Sequence, residues 1–126
     1  MVAEDSLVIR AVLVEQLQSR GYRVIEAGDG EEAMRLVEGD AAPDLLLTDL
    51  VMPRMGGSEL AERLTGRFPG LKVLFISGHA QDLRRLEGQP NALFVQKPFA
   101  TDLLARRIRA LLEPLAELPA GSDAVP

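Results

Sequence analysis

Apolar and polar positions along this chain switch between two periods. From Leu7 to Arg20, Ile9, Leu13 and Leu17 recur four apart and Val12 and Val14 widen the stripe, so the spacing predicts a helix, which Gly21 ends. Tyr22 to Glu26 reads as a short strand and Gly28-Asp29-Gly30 as a turn. Glu31 to Gly39 reads as a second helix, with acids in its first turn and Ala33, Leu36 and Val37 facing inward. After Pro43, the run Leu45-Leu46-Leu47-Thr48-Asp49 has the continuous apolar character of a strand buried on both faces. Ser58 to Phe68 reads as a third helix, with Ser58 as N-cap and Leu60, Ala61 and Leu64 on its apolar side, closed by Pro69-Gly70. Lys72 to Ser77 repeats the strand pattern, Asp82 to Leu86 reads as a short helix and Leu93 to Lys97 as a strand. Thr101 is the expected N-cap of a final helix whose Leu104, Ile108 and Leu111 lie at helical spacing.

Strands alternating with helices at this spacing imply an α/β fold, a parallel sheet with helices on both faces. Such sheets bind ligands at the carboxyl ends of their strands. Three of the strands end there in polar residues, Asp49, Ser77 and Lys97. A carboxylate closing a buried run must be satisfied or used, and Pro53 with Gly56-Gly57 opens a loop directly after it.

A chain of 126 residues holds one core, assigned here to residues 1–112, with the proline-bearing segment 113–126 expected to be a flexible tail. Nineteen acidic against fourteen basic residues argue against a nucleic-acid partner. The absence of cysteine excludes disulfides and thiolate metal sites. With no apolar stretch of membrane-spanning length and no signal segment, a cytoplasmic protein without a membrane partner is expected.

Charge then narrows the chemistry. Glu4-Asp5 precedes the first helix, so the loop edge should gather Glu4, Asp5, Asp49, Ser77 and Lys97. Crowded carboxylates repel, and Mg²⁺ resolves the repulsion with oxygen ligands, Asp5 and Asp49 being the best candidates. With the Lys97 ammonium beside the metal, the pocket can hold a phosphoryl group, which Asp49 can accept as nucleophile while the Ser77 hydroxyl bonds one of its oxygens. Each residue also has a plainer reading taken alone. Asp49 can cap a strand, Glu4-Asp5 can be a solvated helix start, Ser77 can merely end its strand, Lys97 can lie on the surface, and Phe94 can be core.

Four ordered segments change the weighting. Ala3-Glu4-Asp5-Ser6, Asp49-Leu50-Val51-Met52-Pro53-Arg54-Met55-Gly56-Gly57, Phe75-Ile76-Ser77-Gly78 and Phe94-Val95-Gln96-Lys97-Pro98-Phe99 together resemble the response-regulator receiver domain of two-component signalling. The resemblance covers Val2 to about Leu112 and is closest to receivers attached to hybrid histidine kinases. It implies a flavodoxin-like, doubly wound, five-stranded parallel sheet in the order 2-1-3-4-5, with a cis peptide at Lys97-Pro98. It further implies Asp49 as phosphoacceptor, Asp5 as a direct Mg²⁺ ligand with Glu4 acting through water, and Val51 as donor of a backbone carbonyl to the metal. Ser77 and Phe94 match the switch positions and Lys97 the phosphate-binding lysine. The expected partner is a histidine kinase or phosphotransfer protein, and the chain promotes only its own phosphorylation and dephosphorylation rather than acting as an enzyme on other substrates.

Two departures from the family pattern carry expectations of their own. Only Met1, Val2 and Ala3 precede the acidic pair, so the first strand is expected to be a stub, shortened either by excision from a longer chain or by a start codon called too late. The interval from Ser77 to Lys97 is shorter than is usual in receivers, and the loss falls in the fourth helix, part of their signalling face. These departures motivate an alternative, a degenerate receiver that works as a phosphorylation-independent interaction module. An aspartyl phosphohydrolase is a weaker third reading, since it needs a second acid two residues on, where Val51 stands. His79, two residues after Ser77, is read as modulating access to the phosphoryl group. Arg84, Arg85, Arg106, Arg107 and Arg109 are read as solvated helix faces, with an electrostatic kinase contact or a homodimer through the last helices as the other uses for them.

Overall fold

In the computed structural model of the protein, which describes residues 1–38, 42–78, 92–97 and 101–112, strands and helices alternate up to residue 77, and one further strand and one further helix are described beyond it. The elements are β1 (Val2–Ala3), α1 (Leu7–Ser19), β2 (Glu26–Ala27), α2 (Gly30–Leu36), β3 (Leu45–Asp49), α3 (Gly57–Arg67), β4 (Lys72–Ser77), β5 (Ala92–Gln96) and α4 (Thr101–Leu112). Every strand pair is parallel, and the order is β2-β1-β3-β4-β5, the flavodoxin-like arrangement expected. Strand order reverses at β1, so the crevice beside β1 and β3 is where this fold places ligands.

Strand alternation divides the core in two. Ala3, Leu46, Val73 and Phe75 face α2 and α3, where Ala33, Leu60, Ala61 and Leu64 cover them. Val2, Leu45, Leu47, Leu74, Ile76 and Val95 point the other way, onto Leu13 and Leu17 of α1 and Leu104 and Ile108 of α4. All five residues of β3 are buried, as a strand covered on both faces must be.

The first strand is indeed a stub of two residues, yet it works as a central strand. Val2 is in register with Glu26 on one side and Leu47 on the other. The ladder extends past the strand in both directions. The Met1 amine donates to the Leu45 carbonyl (2.9 Å), Leu47 N–H to Met1 (2.9 Å), Val2 N–H to Ile25 (2.8 Å) and Glu4 N–H to Ala27 (3.0 Å). Burial of the Met1 amine disfavours its charged form and pulls its pKa from 8.0 to about 6, against a smaller opposing pull from Asp44.

Several boundaries differ from the sequence expectation for identifiable reasons. The strand expected over Tyr22 to Glu26 is found at Glu26–Ala27, sharing only Glu26 with the expected range, because β1, its neighbour among the described residues, offers two residues to pair with. The second helix stops at Leu36, where Glu38 N–H bonds back to the Arg35 carbonyl (3.2 Å) in a tightened last turn. Gly56, not Ser58, caps α3, since Gly57 is already held by a bond from its N–H to the Leu50 carbonyl (2.9 Å). Thr101 lies within the first turn of α4 rather than ahead of it. Gly21 ends α1 as expected, with φ +93° and its N–H on the Gln18 carbonyl (3.0 Å). The short helix expected over Asp82 to Leu86, the Lys97-Pro98 peptide and the tail lie outside the described residues. Among the described residues no helix is long and apolar enough to cross a membrane.

Candidate functional site

Four strands deliver their last polar residues to one edge of the sheet. β1 leads into Glu4-Asp5, β3 ends in Asp49, β4 in Ser77, and Lys97 follows β5. Glu4, Asp5 and Asp49 each place a carboxylate oxygen so that all three lie within 4.8 Å of one another. The short first strand therefore suffices to hold the acidic pair against Asp49, because the ladder bond from Glu4 N–H to Ala27 fixes the backbone where the pair begins.

The three acids have different surroundings. Glu4 is 1% exposed, Asp49 is buried, and Asp5 is open to solvent. One oxygen of Glu4 accepts from the Ser6 N–H (3.0 Å), and the other meets the Lys97 ammonium at 3.3 Å. Ser6 in turn caps α1, its hydroxyl accepting from Ile9 N–H (3.3 Å), so the acidic pair is tied to the start of the helix. Arg10 closes the rear of the loop by donating to the Glu4 carbonyl (2.8 Å). Burial raises the Glu4 pKa above the usual carboxylate range, the Asp49 charge adds to this, and the bonds from Ser6 and Lys97 oppose it.

Lys97 Nζ bonds Asp49 Oδ2 at 3.1 Å as well as Glu4. Burial by itself would lower the lysine pKa, but Asp49 and then Glu4 outweigh it, and the net shift is upward. Ser77 is buried at the end of β4, and its carbonyl accepts the Lys97 N–H (2.7 Å), which fixes the backbone from which the lysine reaches in.

The loop after Asp49 is closed tightly at both ends. Leu50 N–H bonds the Ile76 carbonyl (3.0 Å), and the Thr48 hydroxyl donates to the Asp49 carbonyl (2.9 Å). A Cβ on Gly57 would overlap that same Asp49 carbonyl oxygen, so only glycine lets α3 start so close to the strand end. Val51 lies in this loop with its side chain outward.

Glu4, Asp5, Asp49 and Lys97 are thus brought together as the sequence leads one to expect, with Ser77 at the neighbouring strand end. Phe94 is described through its backbone, in register with Phe75, and His79 lies outside the described residues. Sequence reasoning missed the dual pairing of Lys97, and it missed Arg54, which pairs with Asp29 across the loop. The available signal for the second was the Asp29-Gly30-Glu31-Glu32 pattern of a capped helix. Asp29 accepts the Glu32 N–H (2.8 Å), while Glu32 accepts the Gly28 N–H (2.6 Å).

Chemically, one exposed and two buried carboxylates beside a fixed ammonium form an all-oxygen donor set suited to a hard divalent cation, with Lys97 as a counter-charge for an arriving anion.

Comparison with known proteins agrees with this arrangement. The family model described as the response regulator receiver domain matches residues 1–109. The chain is 37% identical over 116 residues to the sensor kinase CckA of Brucella abortus, covering 90% of this chain and 12% of that protein. It is 36% identical over 114 residues to the response regulator receiver protein CpdR of the same organism, covering 89% of this chain and 94% of CpdR. Against the response regulator MprA of Mycobacterium tuberculosis the identity is 34%, and the chain spans 49% of that relative's length. Among solved structures, the receiver domain of the hybrid histidine kinase CckA superposes with a TM-score of 0.76 at 35% identity, covering 88% of this chain and 95% of that one. The response regulator TrrA from Thermotoga maritima, solved in complex with Mg(2+)-BeF, gives 0.73 at 28% identity, covering 88% and 96%. With its sheet order, its acidic edge and these relatives in agreement, the chain belongs to the response regulator receiver domain family, whose general function is phosphorylation-based signalling in two-component systems.

Proposed function

We propose that the chain accepts a phosphoryl group on Asp49 from the phosphohistidine of a histidine kinase or phosphotransfer protein, in a reaction that uses Mg²⁺. The observation that carries this reading is the meeting of Glu4, Asp5 and Asp49 within 4.8 Å, with Lys97 bonded to two of them. Asp5, Asp49 and the Val51 carbonyl would hold the metal directly and Glu4 through water. The unequal burial supports that division, because Glu4 is already committed to Ser6 and Lys97 while Asp5 is free to turn toward solvent. Held by these residues, Mg²⁺ would supply positive charge to offset that on the phosphoryl oxygens during transfer.

The protein's own groups do the rest. An Asp49 oxygen attacks phosphorus, the phosphorus–nitrogen bond breaks, and the imidazole leaves with the electron pair. Lys97 moves its ammonium from the carboxylates to a phosphoryl oxygen, a short path since it starts 3.1 Å from Asp49. Ser77 turns its hydroxyl toward another phosphoryl oxygen, and Phe94 responds on the adjacent strand, altering a partner-binding surface near β4, β5 and α4. The donor protein can approach beside Asp5, where Leu7 and Val8 on the first turn of α1 are 72% and 74% exposed. An apolar pair at the rim of a charged pocket is the kind of surface a partner covers.

The test is intact mass after treatment with acetyl phosphate and Mg²⁺. One phosphoryl group is expected on the wild-type chain and none on Asp49→Asn. Equal labelling of both proteins, or no labelling of either, would overturn the reading.

A further inference from the structure

We propose that Arg54 is a positioning residue, whose ion pair with Asp29 holds the loop between β3 and α3 so that the Val51 carbonyl faces the acidic pocket. The inference rests on the reading of Val51 and Asp49 as metal ligands.

The backbone at Arg54 is unusual. Its φ is +67°, the one positive value on a non-glycine residue among those described, and the N–H of Met55 bonds the carbonyl of Pro53 (2.7 Å) across it. A three-residue turn closed by such a bond with a left-handed central residue is rare and strained for any side chain with a Cβ. Glycine would adopt it without cost. An arginine there implies that the side chain contributes something the backbone alone does not.

What it contributes is a tie to a second element. The Arg54 guanidinium bonds Asp29 through Nη2 and lies 3.6 Å from Glu31 through Nε. Asp29 is well anchored to receive it. Its side chain is 11% exposed, and its other oxygen caps α2 by accepting the Glu32 N–H at 2.8 Å. The cap and the arginine together hold the Asp29 carboxyl below its usual range. A second contact crosses the same gap. A Cβ on Gly30 would stand 2.7 Å from both the Cβ and the carbonyl oxygen of Met55, so the loop lies directly against the start of α2.

Arg54 is three residues beyond Val51 and five beyond Asp49. The segment is fixed at its far end by Gly57 N–H on the Leu50 carbonyl and by the glycine-only contact with Asp49. With both ends of the loop fixed and its apex tied sideways to Asp29, the carbonyl at Val51 has little freedom. Such preorganisation is what a metal site with strict octahedral demands requires.

Two substitutions separate the tie from the backbone and the cap. Arg54→Gly keeps the left-handed turn and removes the guanidinium, while Asp29→Asn keeps a capping side chain and removes the charge. Mg²⁺ affinity is read by calorimetric titration of each variant of the 126-residue chain, and loop mobility by hydrogen exchange of the Met55, Gly56 and Gly57 amides. Each single variant should bind Mg²⁺ about threefold to tenfold more weakly, with faster exchange confined to the loop, and the double variant should lose little more than either one. Arg63→Ala, which breaks the exposed pair with Glu59, should match the wild type. Unchanged affinity and exchange in both variants would overturn the tie and leave the metal reading standing. If the wild type binds no Mg²⁺, or if Asp49→Asn binds it equally well, the metal reading fails and the proposal falls with it.

Discussion

Lys97 bonds Asp49 at 3.1 Å although 48 residues separate them in the chain. The same ammonium reaches Glu4 at 3.3 Å, so a single cation compensates two carboxylates that burial has brought together. Replacing Lys97 with alanine should therefore have opposite effects on stability and metal affinity. Without divalent metal, the variant should lose about 1–3 kcal/mol in urea unfolding, the usual range for removing a charged hydrogen-bond partner from a buried acid. Because Lys97 no longer competes for the acids, Mg²⁺ should stabilise the variant more than the wild type. Labelling by acetyl phosphate should nevertheless fall sharply. Equal Mg²⁺ stabilisation of the two proteins would contradict the competition.

The buried chain terminus gives a pH dependence with a definite sign. The folded state holds the Met1 amine near pKa 6 against an ordinary 8.0, so between those values the unfolded chain binds more protons. Stability should rise with pH from about 6 to about 8 and be flat from this group outside that window, by on the order of 3 kcal/mol at most. Acetylating the amine removes the titration. Urea midpoints at three pH values across the window, compared between the free and acetylated chains, isolate the contribution. A slope that survives acetylation would assign it to other groups.

Two glycines of the same helix should respond in opposite ways to alanine. At Gly57 the new methyl meets the Asp49 carbonyl oxygen and the Thr48 hydroxyl, both held by the sheet, so Gly57→Ala should cost about 2 kcal/mol or more and distort the strand end at Asp49. At Gly66 nothing lies within 4 Å, so Gly66→Ala should stabilise by roughly 0.5–1 kcal/mol through helix propensity. Thermal unfolding of the pair is the check, and a stable, normally labelled Gly57→Ala protein would refute the close approach.

The fold was legible because the apolar runs are long and their ends are marked. Leu45 to Asp49 and Lys72 to Ser77 have strand composition, Gly21 has the backbone its position demands, and Leu60, Ala61 and Leu64 are buried as their spacing requires. The acidic edge was legible for the same reason, since residues at the ends of adjacent parallel strands must be neighbours. What escaped is relational. No local pattern says that a two-residue strand can be extended on both flanks by bonds from Met1 and Glu4. Nor does any local pattern say that Tyr22 to Glu26, with strand-like composition, will find only two residues to pair with. The Arg54 tie is of this kind too, because a left-handed arginine is visible only once its partner on α2 is in place.

The exposed pair on α1 gives a way to separate chemistry from partner docking. Leu7 and Val8 open the helix next to Asp5, and its first turn carries no acid to complement the helix dipole. An aspartate at position 8 should therefore fold at least as well as the wild type, gaining a few tenths of a kcal/mol from the dipole. The new charge would have to be desolvated under any protein that covers this surface, which costs far more in an interface than in water. Val8→Asp should thus slow phosphorylation by a histidine kinase that labels the wild-type chain by about tenfold or more, equivalent to roughly 1.4 kcal/mol of lost docking energy. Acetyl phosphate needs no protein contact, and its labelling of Asp49 should be unchanged. Rates measured side by side with the two donors decide the matter. A parallel loss with both would place the effect in the pocket, and no loss with either would move the docking surface elsewhere on the molecule.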